Sequence, residues 1–435
     1  CFFVTVATIL GTGILGLPVK LAHTGFWPLA ATFAVVLCMQ LAVVLLMCEL
    51  LQEAKLRLLS SGAPADAAKP SEYQQLDGDG GELHRASASP DLHTMGKMFL
   101  GPTSRLFFDI AVMFHFVFIL ISYGLSGSQA IGELIGVSSE LLLTPFVVCL
   151  AFVVILFSRH IVPLIGAMTS GKFVLLIVMV ACVGYVAIAK LDAGPSDSWR
   201  DVLAPFLMGT VALGGAVNLM PVLFQTVPFR AECVRRFRMS VSAGVFACWA
   251  LNMLWAFFVL RVVPQTREKA AAEGLDASLE QAEDDGEIST VPVSRIIRQR
   301  FDEFDWVAYA ITSFILVSIC VSFITLSTGM KHVLDGFVAQ RRLRALQNRQ
   351  GARGQSRPKP SLESVGCYTL CSGAWWCVAR FPHSVPPALT CCSQWAVCMA
   401  SPKGLLDVLE LFTSAGLNTE AGLFIGMMLR NARRS

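Results

Sequence analysis

Three glycines and a proline near the start of the chain stand inside an apolar stretch, where their backbone groups could bind a ligand. They belong to the motif GTGILGLP at residues 11–18, in a run from residue 1 to residue 21 whose single charged residue is Lys20. The run is long enough to cross a bilayer. Unwound backbone at membrane depth is tolerated only where it faces protein or a watery cavity, because lipid cannot satisfy free N–H and C=O groups. The motif therefore predicts a broken membrane helix with a binding site at the break.

A second interruption lies in the apolar run at residues 202–227, which contains the motif LGGAVN at residues 213–218 and Pro221. The two interrupted spans are the first and the sixth, so they cross in opposite directions. This predicts two five-helix units of inverted topology, with the substrate at mid-bilayer between the breaks. Half-helix N-termini favour an anion such as a carboxylate, and free carbonyls favour a cation such as an amine. An amino acid carries both groups.

Other residues in the apolar spans are candidates for binding or ion coupling. Ser322, Thr325 and Thr328 share a helix face, although such hydroxyls often bond to their own helix. Lys172 is costly inside a span and therefore indicates function, unless it reaches the interface. Two other residues could take the coupling role: His115, which could instead be a hydrogen-bonded core residue, and Glu420, which could instead pair within the bundle. Tyr123 and Ser126 could face either the substrate or the core.

The composition places these residues in an all-α, polytopic membrane protein. Hydrophobic residues make up 54% of the 435 positions, charged residues 15%, and the mean hydropathy is +0.62, which is not the composition of a globular enzyme. We find no phosphate loop, zinc ligand set or nucleophile–base pair, and we predict no enzyme activity, cofactor, metal site or nucleic-acid partner. Many of the 14 cysteines stand in apolar runs, where a thiol behaves as a small apolar group.

Ten spans are predicted, and the loops between them set an orientation. Basic residues are enriched in the turns after the even-numbered spans, whereas residues 264–305 hold eleven acidic and five basic residues. Because positive residues mark the cytoplasmic side, the N-terminus is predicted to be inside. The regions are spans one and two (1–51), a largely disordered cytoplasmic linker (52–104), spans three to seven (105–263), an extracytoplasmic loop (264–305), span eight (306–330), a basic cytoplasmic loop (331–366), and spans nine, poorly defined, and ten (367–429).

The motif at residues 11–18, followed by TGFWP at residues 24–28, closely resembles the start of amino acid permeases of the amino acid/polyamine/organocation superfamily. Its nearest likeness is to the aromatic amino acid permease and amino acid/auxin permease branches. Residues 222–224 are similar to that family's sixth helix, residues 322–329 and 334–336 to its eighth, and residues 404–428 to its tenth. The sequence departs from the family in lacking an eleventh helix and a His in the sixth-helix break. Because it also begins with Cys1, we expect a fragment or a truncated gene model.

The resemblance implies a substrate site between the two breaks, with the eighth helix beside the first. In some proton-coupled relatives a lysine that resembles Lys172 takes the place of a sodium ion. The expected ion-coupling residues are Lys172 and Thr328, and the expected substrate-binding residues are Gly11, Thr12, Gly13, Gly214, Gly215, Asn218, Ser322 and Thr325.

Secondary active transport of an amino acid, by symport with H⁺ or Na⁺, is the function expected from these features. Without a nucleotide-binding loop, transport would draw on an ion gradient. The alternative is an amino acid sensor or scaffold built on the transporter fold; a channel or receptor does not account for paired breaks. The partners expected are an amino acid, H⁺ or Na⁺, and the lipid bilayer of either the plasma membrane or a vacuolar or other endomembrane.

Overall fold

The structure is a computed structural model that describes residues 1–60, 92–157, 161–190, 196–225, 227–351 and 408–434. Its described residues form helices joined by short turns and contain no strand. The ninth predicted span and most of the predicted linker lie outside these ranges. The all-α prediction is confirmed for the described part of the chain.

The helices follow the apolar runs of the sequence. In chain order they are α1 (Phe2–Ile9), α2 (Thr12–Gly16), α3 (Phe26–Ser60), α4 (Leu92–Phe99), α5 (Pro102–Ile135), α6 (Ser139–Phe157), α7 (Ile161–Lys190), α8 (Leu203–Gly214), α9 (Ala216–Gln225), α10 (Ala231–Val262), α11 (Arg267–Ala272), α12 (Leu279–Asp284), α13 (Thr290–Arg300), α14 (Asp305–Gly351), α15 (Ser414–Asn418) and α16 (Ile425–Arg434). Two π-helical segments, Val408–Thr413 and Thr419–Phe424, flank α15.

Six stretches are long and apolar enough to cross a membrane: α3, α5, most of α7, α8 together with α9, α10, and the first half of α14. Each falls within one of the predicted spans or extends it. The chain is therefore an integral membrane protein. The predicted first and tenth spans consist of shorter pieces, and the fourth, α6, contains a shorter apolar stretch at Ser139–Leu150.

Two predicted loops are helical where the structure describes them. The region predicted as a linker at 52–104 begins as the last turns of α3 and ends with α4 and the start of α5. The region predicted as a basic loop at 331–366 begins as a continuation of α14 to Gly351. Arg, Lys, Gln, Leu and Ala dominate that continuation and are strong helix formers. Charge ended the apolar span there without ending the helix, so the loop prediction was wrong for these residues.

The first helix lies at the centre of the bundle. α1 packs against α7, α9, α10 and α14, and α2 packs against α8 and α5. Leu10, Ile14 and Leu15 are at most 1% exposed. This position places the motif at residues 11–18 in the interior, where several helices can contribute side chains to it.

Residues 264–304, here called the cap, fold into three short helices over one end of the bundle. The first two of these helices are N-capped by Thr266 and Ser278, whose side-chain oxygens accept from backbone N–H groups. The backbone N–H of Ser289 donates to the carbonyl of Leu15 at 2.9 Å, which ties the cap to α2. Burial raises the pKa of the Glu287 carboxyl, while the Arg295 guanidinium, 2.9 Å away, opposes that shift. The region predicted as a loop is therefore an ordered lid over the first helix.

Contacts at the opposite end of the bundle join the end of α3 to the end of α16 and to the turn before α10. Glu49 pairs with Arg433 at 2.8 Å. Lys55 donates to the carbonyl of Val227 at 3.3 Å, and Arg57 donates to the carbonyl of Ala432 at 3.2 Å. This basic end holds the charged termini of three segments.

Candidate functional site

The first helix is broken at Leu10 and Gly11, as the glycine motif predicts. α1 ends at Ile9 and α2 begins at Thr12. Leu10 has φ −73° and ψ 78°, and Gly11 has φ −115° and ψ −143°, so neither continues the helix. The N–H of Gly11 donates to the carbonyl of Ile9 at 2.8 Å. The break exposes backbone groups that a continuous helix would pair.

Glycine is needed at this break because other groups approach the backbone closely. A side chain at Gly11 would collide with the hydroxyl of Tyr123, a buried residue of α5. A Cβ atom at Gly13 would lie 2.5 Å from the Cα of Ala212 in α8. The side chain of Thr12 lies outside the described part of the structure. The glycines thus let α5 and α8 contact the first helix at its break.

The second interruption is narrower than the sequence predicts. Gly215 alone separates α8 from α9, and its φ of −60° and ψ of −16° remain close to helical values. A Cβ atom at Gly215 would lie 3.1 Å from the carbonyl oxygen of Thr8, and one at Gly214 would collide with Leu417. Pro221, inside α9, cannot donate a backbone hydrogen bond. Gly214 and Gly215 therefore bring the sixth span into contact with the first and the last.

Lys172 lies in the interior of the bundle. Its side chain is 0% exposed, and Nζ donates to Oγ of Ser322 on α14 at 2.5 Å. Ser322 is itself 2% exposed. The alternative in which Lys172 reaches the membrane interface is wrong. The pairing joins the predicted coupling residue to a predicted binding residue across two helices.

The carbonyl end of α1 lies beside this pair. Ser318 donates to the carbonyl of Leu10 at 3.5 Å, and the thiol of Cys248 donates to the carbonyl of Val6 at 3.7 Å. A helix C-terminus carries partial negative charge, so it favours a cation. Lys172 is the candidate for that cation, since its hydrogen-bond partner Ser322 lies about one helical turn from Ser318.

The other eighth-span hydroxyls are placed differently. Thr325 donates to the carbonyl of Val321 at 2.7 Å. This is a bond within its own helix, as in the alternative to a binding role. The side chain of Thr328 lies outside the described part of the structure. Of the three hydroxyl residues predicted to share a face, Ser322 is the one that the structure joins to Lys172.

A second buried polar cluster joins α9 to α5 and the last segment. One end of the Asn218 amide lies 2.6 and 3.3 Å from the two carboxyl oxygens of Glu420, and the other end lies 3.1 Å from Nε2 of His115. Glu420 is 0% exposed, His115 1% and Asn218 7%. The sequence suggested the three residues separately, but it gave no sign that they meet.

The cap end of the first helix is held by a buried ion cluster. Nζ of Lys20 lies 3.1 Å from Oε1 of Glu283 in the cap and 2.8 Å from Oε2 of Glu410 in the π-helical segment Val408–Thr413. The Lys20 side chain is 8% exposed. We call this cluster the Lys20 latch. In the sequence its one sign is Lys20, a lone charge at the end of an apolar run, and nothing there indicates the two glutamates that it meets.

No protein-family profile and no characterised protein matches the sequence.

Proposed function

We propose that the protein is a secondary active transporter of amino acids that moves its substrate by alternating access together with H⁺. The observation that carries the proposal is the broken first helix at the centre of the bundle. Gly215 of the sixth span lies against Thr8 and Ile9, just before this break, and the buried Lys172 is hydrogen-bonded to Ser322 of the eighth span. Broken helices of this kind form substrate sites in transporters.

The two halves of the first helix offer opposite partial charges at the break. The N-terminus of α2 favours the carboxylate of an amino acid, and the carbonyl end of α1 favours a cation. The glycines at positions 11, 13, 214 and 215 let the neighbouring helices approach the break closely. These features support Gly11, Thr12, Gly13, Gly214, Gly215 and Asn218 as substrate-binding residues, with the second glycine pair acting through the approach of α8 and α9.

Lys172 is proposed as an ion-coupling residue because of its position. A positive charge at the carbonyl end of α1 would take the place of the charge that a bound metal cation supplies. Without the lysine, no cation would stand between the carbonyl end of α1 and Ser322. This position favours H⁺ over Na⁺ as the coupling ion.

Uptake by proteoliposomes tests the proposal. The purified full chain is reconstituted, and accumulation of each labelled proteinogenic amino acid is measured with a pH gradient, with a sodium gradient and with neither. We expect accumulation of at least one amino acid under the pH gradient. Accumulation under the sodium gradient alone would make Na⁺ the coupling ion.

The same measurement separates transport from sensing. A sensor or scaffold on the transporter fold would bind an amino acid without accumulating or exchanging it. Binding detected by a ligand-dependent rise in unfolding temperature, with no uptake under either gradient, would contradict the transport proposal and support the alternative.

A further inference from the structure

Glu420 is a fully buried acid that forms no ion pair with a Lys or Arg among the described residues. It lies in the π-helical segment Thr419–Phe424, in the interior of the helical bundle. An ionised carboxylate without a cation partner is costly in such a place. The chain therefore has to neutralise Glu420 by another route, and a bound proton is the simplest one.

Among the described residues, His115 is the one titratable group found within hydrogen-bond distance of the Asn218 amide besides Glu420, and Glu410 of the neighbouring segment Val408–Thr413 pairs with Lys20. α15, α8 and α9 carry no titratable side chain. On α5, Arg105 and Asp109 contact His93, Tyr123 lies against Gly11, and Glu133 faces the cap arginines. The arginines of α16 lie beyond its apolar part, where Arg433 pairs with Glu49.

The distances around Asn218 fit a protonated Glu420. Amide oxygen and nitrogen are told apart by their hydrogen bonds. With the proton on Glu420, the carboxyl donates to the amide oxygen at 2.6 Å, and the amide nitrogen donates to Nε2 of neutral His115 at 3.1 Å; both lengths are normal for such bonds.

Ionised Glu420 would require the reversed amide and a donor at Nε2 of His115. If both ring nitrogens then carried protons, the cluster would be a buried ion pair bridged by an amide, whose desolvation cost often exceeds its attraction. If the ring stayed neutral, the charge would be uncompensated. The neutral arrangement is thus favoured, and it holds one dissociable proton.

We propose that Glu420, Asn218 and His115 form a proton-binding site that is separate from Lys172. The proton bound at this site is the one that is cotransported. The proposal rests on the transport function above. A proton from water on one side of the membrane binds the Glu420 carboxylate while the site is open to that side. Once the proton is bound, α9, α5 and the last segment can close around a neutral cluster. Opening to the other side hydrates the carboxylate, which then releases the proton.

Glu420→Gln tests the coupling, because the amide keeps the shape of a neutral carboxyl without a dissociable proton. In proteoliposomes, using a mixture of the labelled proteinogenic amino acids, we expect the variant to retain exchange without a gradient. Accumulation driven by a pH gradient should fall to the level seen without one. The matched control is Glu232→Gln, an exposed glutamate at the basic end, which should accumulate like the wild type. Wild-type accumulation in Glu420→Gln would overturn the proposal.

A proton count tests the site without relying on transport. Titrated in detergent between pH 5 and pH 9, wild type and Glu232→Gln should bind about one proton more per chain than Glu420→Gln. Equal counts would overturn the site, whereas a one-proton difference without any amino acid movement would leave the site standing and refute the transport function.

The wild type alone provides a second measurement if Glu420→Gln does not fold. Glu420 is the one Asp or Glu among the fully buried described residues. An infrared C=O stretch of a protonated carboxyl at pH 7 is expected, and its absence from pH 5 to pH 9 would refute the protonated Glu420.

Discussion

Replacement of Lys172 tests the ion-coupling role proposed for this lysine. Lys172→Met removes the charge and keeps most of the apolar side chain, so packing against α14 is conserved. The carbonyl end of α1 then lacks its cation, and Ser322 loses its 2.5 Å partner. We expect pH-driven accumulation in proteoliposomes to fall by roughly tenfold or more, equivalent to at least about 1.4 kcal/mol.

Lys97→Met is the matched control for that variant, because Lys97 is exposed on α4. It should accumulate amino acids at the wild-type level. Full pH-driven uptake by Lys172→Met would contradict the role of this lysine in coupling.

At the residue scale the sequence predicts which side chains matter better than it predicts where they meet. Lys172 and Ser322 stand out because each is polar within an apolar span, but their contact joins residues 150 positions apart. Tyr123 was one of two α5 residues that could face the substrate or the core, and its hydroxyl proves to lie against Gly11. Such long-range contacts depend on how helices pack, which single-helix patterns do not contain.

The contact between the first and sixth spans depends on Gly13. In Gly13→Ala the added Cβ would stand 2.5 Å from the Cα of Ala212, and backbone cannot move aside as a side chain can. Overpacking of this kind costs roughly 1–3 kcal/mol. We expect a lower midpoint of thermal unfolding in detergent than for the wild type.

Gly171→Ala is the control for Gly13→Ala. A Cβ atom at Gly171, in α7, has open space around it. Since Ala favours a helix over Gly by up to about 1 kcal/mol, its unfolding midpoint should be unchanged or higher. Equal midpoints for the two variants would show that α2 and α8 do not pack as described.

At the element scale the apolar runs predict the long helices well, because length and hydropathy determine which segments can cross a bilayer. The Gly-Thr-Gly motif also predicts the break in the first helix. The interruption in the sixth span is smaller than predicted, because Gly214 and Gly215 serve close packing against Leu417 and Thr8 while the backbone stays nearly helical. Glycine pairs alone do not distinguish unwinding from close approach.

The Lys20 latch joins three parts of the molecule: the end of the first helix, the cap and the last segment. Lys20→Met would leave Glu283 and Glu410 facing each other without their cation. Removing one partner of a buried ion pair costs roughly 3–5 kcal/mol, and the partial exposure of both carboxylates favours the lower figure. We expect the cap to lift more often.

Thiol labelling measures that lifting. Thr290→Cys places a reporter at a position 1% exposed in the cap, in a chain whose native cysteines are replaced. Lys20→Met should speed its labelling by a membrane-impermeant maleimide. Arg267→Met, which removes an exposed pair with Asp284 in the same cap, should change the rate little, because surface pairs contribute about 0–1 kcal/mol. Equal rates in the two variants would refute the latch.

The whole molecule has two chemically different ends, and this difference predicts its orientation. The cap covers one end, while the start of α10 and the ends of α3 and α16 form the basic end. Since positive residues beside membrane helices mark the cytoplasmic side, the cap should face away from the cytoplasm.

In intact cells, with native cysteines replaced, two exposed positions report the two sides: Ala272→Cys in the cap and Arg235→Cys at the basic end. If the chain resides in the plasma membrane, an impermeant maleimide should label the first at once and the second only after permeabilisation. In an internal membrane neither cysteine should be labelled in intact cells. After permeabilisation of the plasma membrane alone, only Arg235→Cys should be labelled while the organelle stays sealed. The reverse order would place the cap, and the side from which the Lys20 latch closes the first helix, in the cytoplasm.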